Sequence, residues 1–190
     1  MQNAQRREIV LNTACLKPLR IAGTIKDSIV DGPGLRYVIF TQGCPHHCPG
    51  CHNPQTHDFA GGQDADVEKI LEEIFGNPIL SGVTFSGGEP FCQAEGLLPI
   101  AEALKNRGLH LMIYTGYLLE QLQKMENSSV KRLLELADVI VDGPFVMAER
   151  NLTLPYRGSE NQRVIDMVKT RASDTIVLYK SDYDDFDIVI

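Results

Sequence analysis

Apolar positions along the chain fall into two alternating periods. Arg20 to Ile25 and Leu35 to Thr41 are short, apolar and β-prone, and they flank the turn formers Asp31-Gly32-Pro33-Gly34, which predicts two strands entering a sheet. From Asp66 the period lengthens. VEKILEEIF sets Val67, Ile70, Leu71 and Ile74 on one helical face, with Asp64 or Asp66 as the cap and Gly76-Asn77-Pro78 as the stop. Gly82 to Phe85 reads as a strand ending at Ser86-Gly87-Gly88, followed by a helix within Leu97 to Asn106 that has Pro99 in its first turn. The order then repeats. Leu109 to Tyr114 is a strand, Leu118 to Lys124 and Ser129 to Leu136 are helical, and Val139 to Val141 is a strand.

Strands alternating with helices imply parallel βα units with right-handed crossovers. The units are too few for a closed eight-fold barrel, which takes about 250 residues. The expected fold is therefore α/β, an open or partial βα barrel with a mainly parallel sheet. It is expected to form a single domain over residues 1–190, with a core from about 20 to 165, an N-terminal extension and an acidic C-terminal tail.

Composition narrows the function classes. The 190 residues are 43% hydrophobic and 23% charged, a globular balance with enough chain to bury a core. No apolar stretch approaches the roughly 20 residues of a membrane span. The start MQNAQRREIV lacks the apolar run of a secretory signal, so a cytoplasmic location is expected, where disulfides are rare. Net charge is −7, from 25 acidic against 18 basic residues, with no Lys/Arg cluster, so nucleic acid is not an expected partner. There is also no Walker A pattern for direct nucleoside-triphosphate binding. Asp182, Asp184, Asp185 and Asp187 read as a solvated tail.

The strongest chemical signal is Cys44-Pro45-His46-His47-Cys48-Pro49-Gly50-Cys51, a C-x3-C-x2-C loop directly after a strand. Thiolates are soft ligands for Fe–S clusters, Zn²⁺ or Cu(I). A four-iron cluster normally takes four cysteines, so three local ones leave an iron open to a substrate or cofactor. Spacing alone equally permits a structural zinc completed by His46, His47 or His52. Cys15 and Cys92 stand apart and read as small buried hydrophobes.

Further candidates lie where predicted strands end, the side on which open parallel sheets and barrels bind ligands. Ser86-Gly87-Gly88-Glu89-Pro90 offers two glycines that let a ligand approach the backbone, and Glu89 offers a carboxylate for a ligand ammonium. Tyr114 and Thr115 end the next strand and offer contacts to polar groups, and Asp142 at the strand after that offers an acid to a ligand or cation.

The cysteine spacing, with Gly43 before it and His52-Asn53-Pro54 after it, resembles the cluster loop of the radical S-adenosylmethionine (SAM) superfamily. Ser86 to Pro90 resembles that superfamily's motif for the SAM amino group. Where the superfamily commonly carries an aromatic residue against adenine, this chain has Gly50, so contact there falls to backbone. Asp31 to Arg36 is similar to a signature of glycyl-radical-enzyme activases. Arg157-Gly158-Ser159-Glu160-Asn161-Gln162-Arg163, behind Pro155-Tyr156, resembles the carboxyl-terminal motif of the activating proteins of anaerobic ribonucleoside-triphosphate reductase. Other activases often carry a lysine two residues after the acid that matches Asp142, where this chain has Pro144.

The resemblance covers roughly residues 21–163. It implies an anaerobic oxidoreductase with a partial barrel of the radical SAM type. Cys44, Cys48 and Cys51 would hold a [4Fe-4S] cluster, and SAM would contact Gly50, His52, Ser86, Gly87, Gly88, Glu89, Tyr114, Thr115 and Asp142. Electrons would come from a flavodoxin or ferredoxin, and the protein substrate would be the reductase, which would receive a glycyl radical. His46, His47 and His57 would support the cluster by hydrogen bonds or serve only packing. Two alternatives stay open: a radical SAM enzyme acting on a small molecule, such as a 7-deazaguanine precursor, and a non-enzymatic zinc-binding module.

Overall fold

A computed structural model describes residues 18–180; Cys15, the extension before residue 18 and the acidic run 182–187 lie outside the described residues. Among the described residues the strands are β1 (Arg20–Ser28), β2 (Arg36–Thr41), β3 (Gln63–Asp64), β4 (Gly82–Gly87), β5 (His110–Tyr114), β6 (Val139–Asp142) and β7 (Arg163–Asp166). The helices are α1 (Val67–Gly76), α2 (Ala94–Asn106), α3 (Leu119–Lys124), α4 (Ser128–Leu136) and α5 (Met167–Ser173). All strands join one sheet in the order β3-β1-β2-β4-β5-β6-β7.

The sheet is mixed rather than mainly parallel. The central pairs β2–β4, β4–β5 and β5–β6 are parallel, as the helical crossovers require. The outer pairs β1–β2, β1–β3 and β6–β7 are antiparallel. The turn after β1 is too short for a crossover, and the segment between β6 and β7 holds only a short 3-10 turn at Met147–Glu149, so both connections bring the chain back antiparallel.

Period-two alternation gives the sheet two distinct faces. Tyr37, Ile39, Val83, Phe85, Leu111 and Ile113 point to one face, where Ile70, Ile74, Leu97, Ile100, Leu104 and Leu133 of the helices form the main core with them. Each such aliphatic side chain, fully buried, contributes about 1.5–3 kcal/mol. Met112, Val139, Val141 and Val164 form a smaller cluster on the other face, with Tyr114 packed against it.

The helix caps follow the sequence. Asp66 accepts from Lys69 N at 3.0 Å and starts α1. α2 begins three residues before the expected Leu97, so Pro99 lies inside it rather than in its first turn. Gly96 lies in this added first turn. In the fold its lack of a side chain brings the helix against Leu19, 3.1 Å from where a Cβ would stand.

Arg36 fixes the turn between β1 and β2. The side chain is fully buried and donates from Nε to Thr84 Oγ1 at 2.6 Å, from Nη1 to Pro33 O at 3.1 Å and from Nη2 to Val83 O. Burial pulls its guanidinium down to about 10, so it stays protonated at neutral pH and is satisfied by carbonyl dipoles. Thr84 in turn donates to Asp31 O at 2.7 Å, so two bonds hold the Asp31-to-Gly34 turn against the sheet.

Candidate metal centre and ligand cavity

A cavity of about 1440 Å³ opens on the sheet face that the helices leave uncovered. Its floor includes Phe40 and Tyr114. The residues that follow β2, β4 and β5 form one wall, the 29–35 turn forms the opposite end, and residues 152–158 form a lip. Of the expected site residues, Cys44, Cys48, Cys51, His52, Ser86, Gly87, Gly88, Tyr114 and Thr115 line this space together. Gly50, Glu89 and Asp142 do not.

The cysteine loop is built on its backbone. Gly43 N donates to Thr56 O at 2.8 Å and Cys44 N to His57 O at 3.1 Å, closing the base, while Cys51 N donates to Cys48 O at 3.1 Å inside the loop. Gly50 holds φ +74°, and a side chain there would strike Met147, so its backbone backs onto the segment between β6 and β7. Gly88 explains why the next strand ends in two glycines: a Cβ there would collide with Gly43 O. Gly88 N donates to Thr41 O and Glu89 N to Gly43 O, both at 2.8 Å, which fastens the turn after β4 to the base of the cysteine loop.

Glu89, expected to meet a ligand ammonium, is bonded here to donors of the protein itself. Its side chain is 0% exposed. Oε1 accepts from Phe91 N at 3.0 Å and Thr115 Oγ1 at 2.9 Å, and Oε2 from Gly116 N at 2.9 Å. Oε2 also meets His46 Nε2 at 2.8 Å. One carboxylate thus ties together the β4 end, the β5 end and the cysteine loop, from behind the cavity wall.

Asp142 likewise faces inward. It is fully buried, takes Leu119 N at 2.8 Å and pairs with Arg163, whose Nη1 and Nη2 also reach Glu120. Asp142, then Glu120, hold the Arg163 guanidinium far above its usual range. Arg163 in turn holds the Glu120 carboxyl down at about 2. The acid expected to serve a ligand or cation makes this ion pair instead of lining the cavity.

The rest of the motif 157–163 folds largely onto itself. Gln162 Oε1 accepts from Gly158 N at 2.9 Å and Ser159 N at 3.2 Å, and its Nε2 donates to Gly143 O at 3.1 Å. Asn161 Nδ2 donates to Pro144 O at 2.8 Å. The segment 143–159 is thereby pinned beside the cysteine loop, where Phe145 meets the His52 ring at 5.0 Å between centroids. Sequence reasoning missed Phe145, because a polar loop gives no periodic signal; Gln162 was named within the 157–163 motif, but not its part in folding that loop. Cys92 is exposed rather than buried, and it does not line the cavity.

The three thiols of the wall are soft donors of the kind that hold Fe–S clusters. Among the described residues no three His, Cys, Asp or Glu side chains are arranged around one metal ion. Three thiols nonetheless share one cavity, as the corners of a cubane would need. Among the described residues no fourth cysteine lines it. Burial pushes the Cys44 thiol up. Asn53 N already points at Cys51 Sγ, 3.4 Å away, the kind of backing hydrogen bond that orients a metal ligand.

Residues 30–165 match the family model of the 4Fe-4S single cluster domain, so the cysteine loop and its sheet define an iron–sulfur protein, and the zinc-module alternative falls away. The anaerobic ribonucleoside-triphosphate reductase-activating protein of Haemophilus influenzae is 32% identical over 142 residues, spanning 70% of this chain and 89% of that protein. Its counterpart in Salmonella typhimurium is 36% identical over 146 residues, with 72% and 91% covered. This chain belongs to the family of anaerobic ribonucleoside-triphosphate reductase-activating proteins. The pyruvate formate-lyase-activating enzyme of Clostridium pasteurianum is 39% identical over 121 residues, 60% of this chain and 51% of that enzyme. A solved structure, QueE from Escherichia coli, aligns with a TM-score of 0.40 and 22% identity over 52% of this chain and 53% of that one, too loose a likeness to bear on fold or function.

Proposed function

We propose that this chain is a radical SAM activase that places a glycyl radical on anaerobic, class III, ribonucleoside-triphosphate reductase. The observation that carries this reading is the gathering of Cys44, Cys48 and Cys51 on one open cavity, in a chain whose relatives activate that reductase. The cofactors are a [4Fe-4S] cluster and SAM. Held by Cys44, Cys48 and Cys51, a reduced cluster would supply one electron to the SAM sulfonium, so that methionine and a 5′-deoxyadenosyl radical would be released and a hydrogen atom taken from a glycine of the reductase.

The residues of this chain bind and exclude. Cys44, Cys48 and Cys51 hold the cluster. Ser86, Gly87, Gly88, His52, Tyr114 and Thr115 line the space for SAM, and Glu89 holds the loops that carry them. The parallel strands β2, β4, β5 and β6, with helices on one face and the cavity on the other, support an open part of a βα barrel as the frame. A primary alkyl radical attacks most nearby C–H bonds, so keeping solvent and stray groups out matters more here than acid–base chemistry. The site works in the reducing cytosol, with a flavodoxin or ferredoxin as electron donor. Among the described residues no helix is long and apolar enough to cross a membrane.

The test mixes reduced, cluster-loaded protein with SAM and the reductase under anoxic conditions. Electron paramagnetic resonance is expected to show a glycyl-radical doublet on the reductase. Turnover of a free metabolite, with no radical on any protein, would instead favour the small-molecule reading.

A further inference from the structure

We propose that Arg157 is the carboxylate-binding residue of the cavity. This rests on the reading of the cavity as a SAM site, and the carboxylate it would take is the one at the amino-acid end of that ligand. Arg157 is the only lysine or arginine among the residues lining the cavity, and Asp31 is the only acid there. A carboxylate brought into such a space loses hydration and must find paired donors. The planar guanidinium is always charged and presents five N–H groups in a fork that matches a carboxylate.

The side chain is held but not used up. Nη1 donates to Gln162 O at 2.7 Å, and among the described residues no acid pairs with the guanidinium. Gln162 is itself fastened to Gly158, Ser159 and Gly143, so the anchor is rigid. The next residue, Gly158, abuts His52, whose Cε1 lies 2.9 Å from where a Cβ would stand. His52 directly follows Cys51. Arg157 therefore rises from the lip beside the cysteine loop, where a positive charge also balances the thiolates. This assignment gives the motif 157–163 a purpose: Gln162 and Arg163 fold the loop, and Arg157 is the side chain it presents.

The test is calorimetric titration of anaerobically reconstituted protein with SAM and with 5′-methylthioadenosine, which keeps the nucleoside and sulfur but lacks the carboxylate. Arg157→Gln is expected to weaken SAM binding about 10- to 100-fold, the usual scale for losing a charged hydrogen bond, and to leave methylthioadenosine affinity unchanged. Arg157→Lys is expected to recover part of the loss. Iron content and thermal midpoint should match the unsubstituted protein. SAM binding as tight as before in Arg157→Gln would overturn the assignment, as would equal loss of both ligands, which marks a structural role. If the unsubstituted protein fails to bind SAM, the underlying reading falls, and the assignment falls with it.

Discussion

Replacing Cys48 with alanine abolishes reductive cleavage of SAM while the polypeptide keeps its fold. The loop does not depend on the sulfur for its shape: Gly43–Thr56, Cys44–His57 and Cys51–Cys48 are all backbone hydrogen bonds. The Cys48 side chain is only partly buried and stands on the cavity wall. Its loss therefore leaves no uncompensated core void, and the apo protein should unfold within about 1 kcal/mol of the original, the usual range for such positions. The chemistry behaves differently, because two thiolates cannot hold a cubane that already lacks a fourth. The variant is expected to lose the visible iron–sulfur absorption and to form 5′-deoxyadenosine only at background level. Cleavage at an undiminished rate would remove Cys48 from the ligand set.

The second large effect is on stability. Glu89→Ala leaves Phe91 N, Gly116 N, the Thr115 hydroxyl and His46 without their shared acceptor in a fully buried place. Breaking a buried charged network by removing one partner costs about 3–5 kcal/mol. For a chain of this length that lowers the thermal midpoint by roughly 6–20 °C. Glu89→Gln keeps the shape and one good acceptor but faces donors with an amide nitrogen, so it should fall between the two. If Glu89 instead acted only as a contact for the ligand ammonium, SAM affinity would drop while the midpoint stayed put. A melting curve of Glu89→Ala that overlays the original would therefore refute the keystone role.

Much of this was legible in the residues, for physical reasons that can be named. Local periodicity and turn chemistry placed β1, β2, α1, β4, β5, α3, α4 and β6, because each carries a short apolar run or a 3.6-residue apolar repeat. α5 and β7 went unread: Val164 and Ile165 form too brief an apolar run, and the motif before them drew attention to itself. Strand direction at the sheet edges is set by connection length, which residue type encodes only weakly. The cysteine loop was plain because thiol spacing is itself the chemistry.

The partners of the carboxylates could not be read from the residues, for the opposite reason. An acid at a strand end looks the same whether it faces a ligand or a ring of backbone amides. Only the fold shows that Glu89 and Asp142 are fully buried among protein donors. Gly87, which ends β4, and Gly88 after it were read as room for a ligand. They do border the cavity, yet the closest neighbour of Gly88 is the backbone of Gly43.

Anoxic reconstitution with iron and sulfide, followed by dithionite and SAM, tests the central claim most directly. About four irons and four sulfides per chain are expected, as the family model implies, together with methionine and 5′-deoxyadenosine as products. A chain that takes up no sulfide, or that holds one zinc and leaves SAM intact, would contradict it.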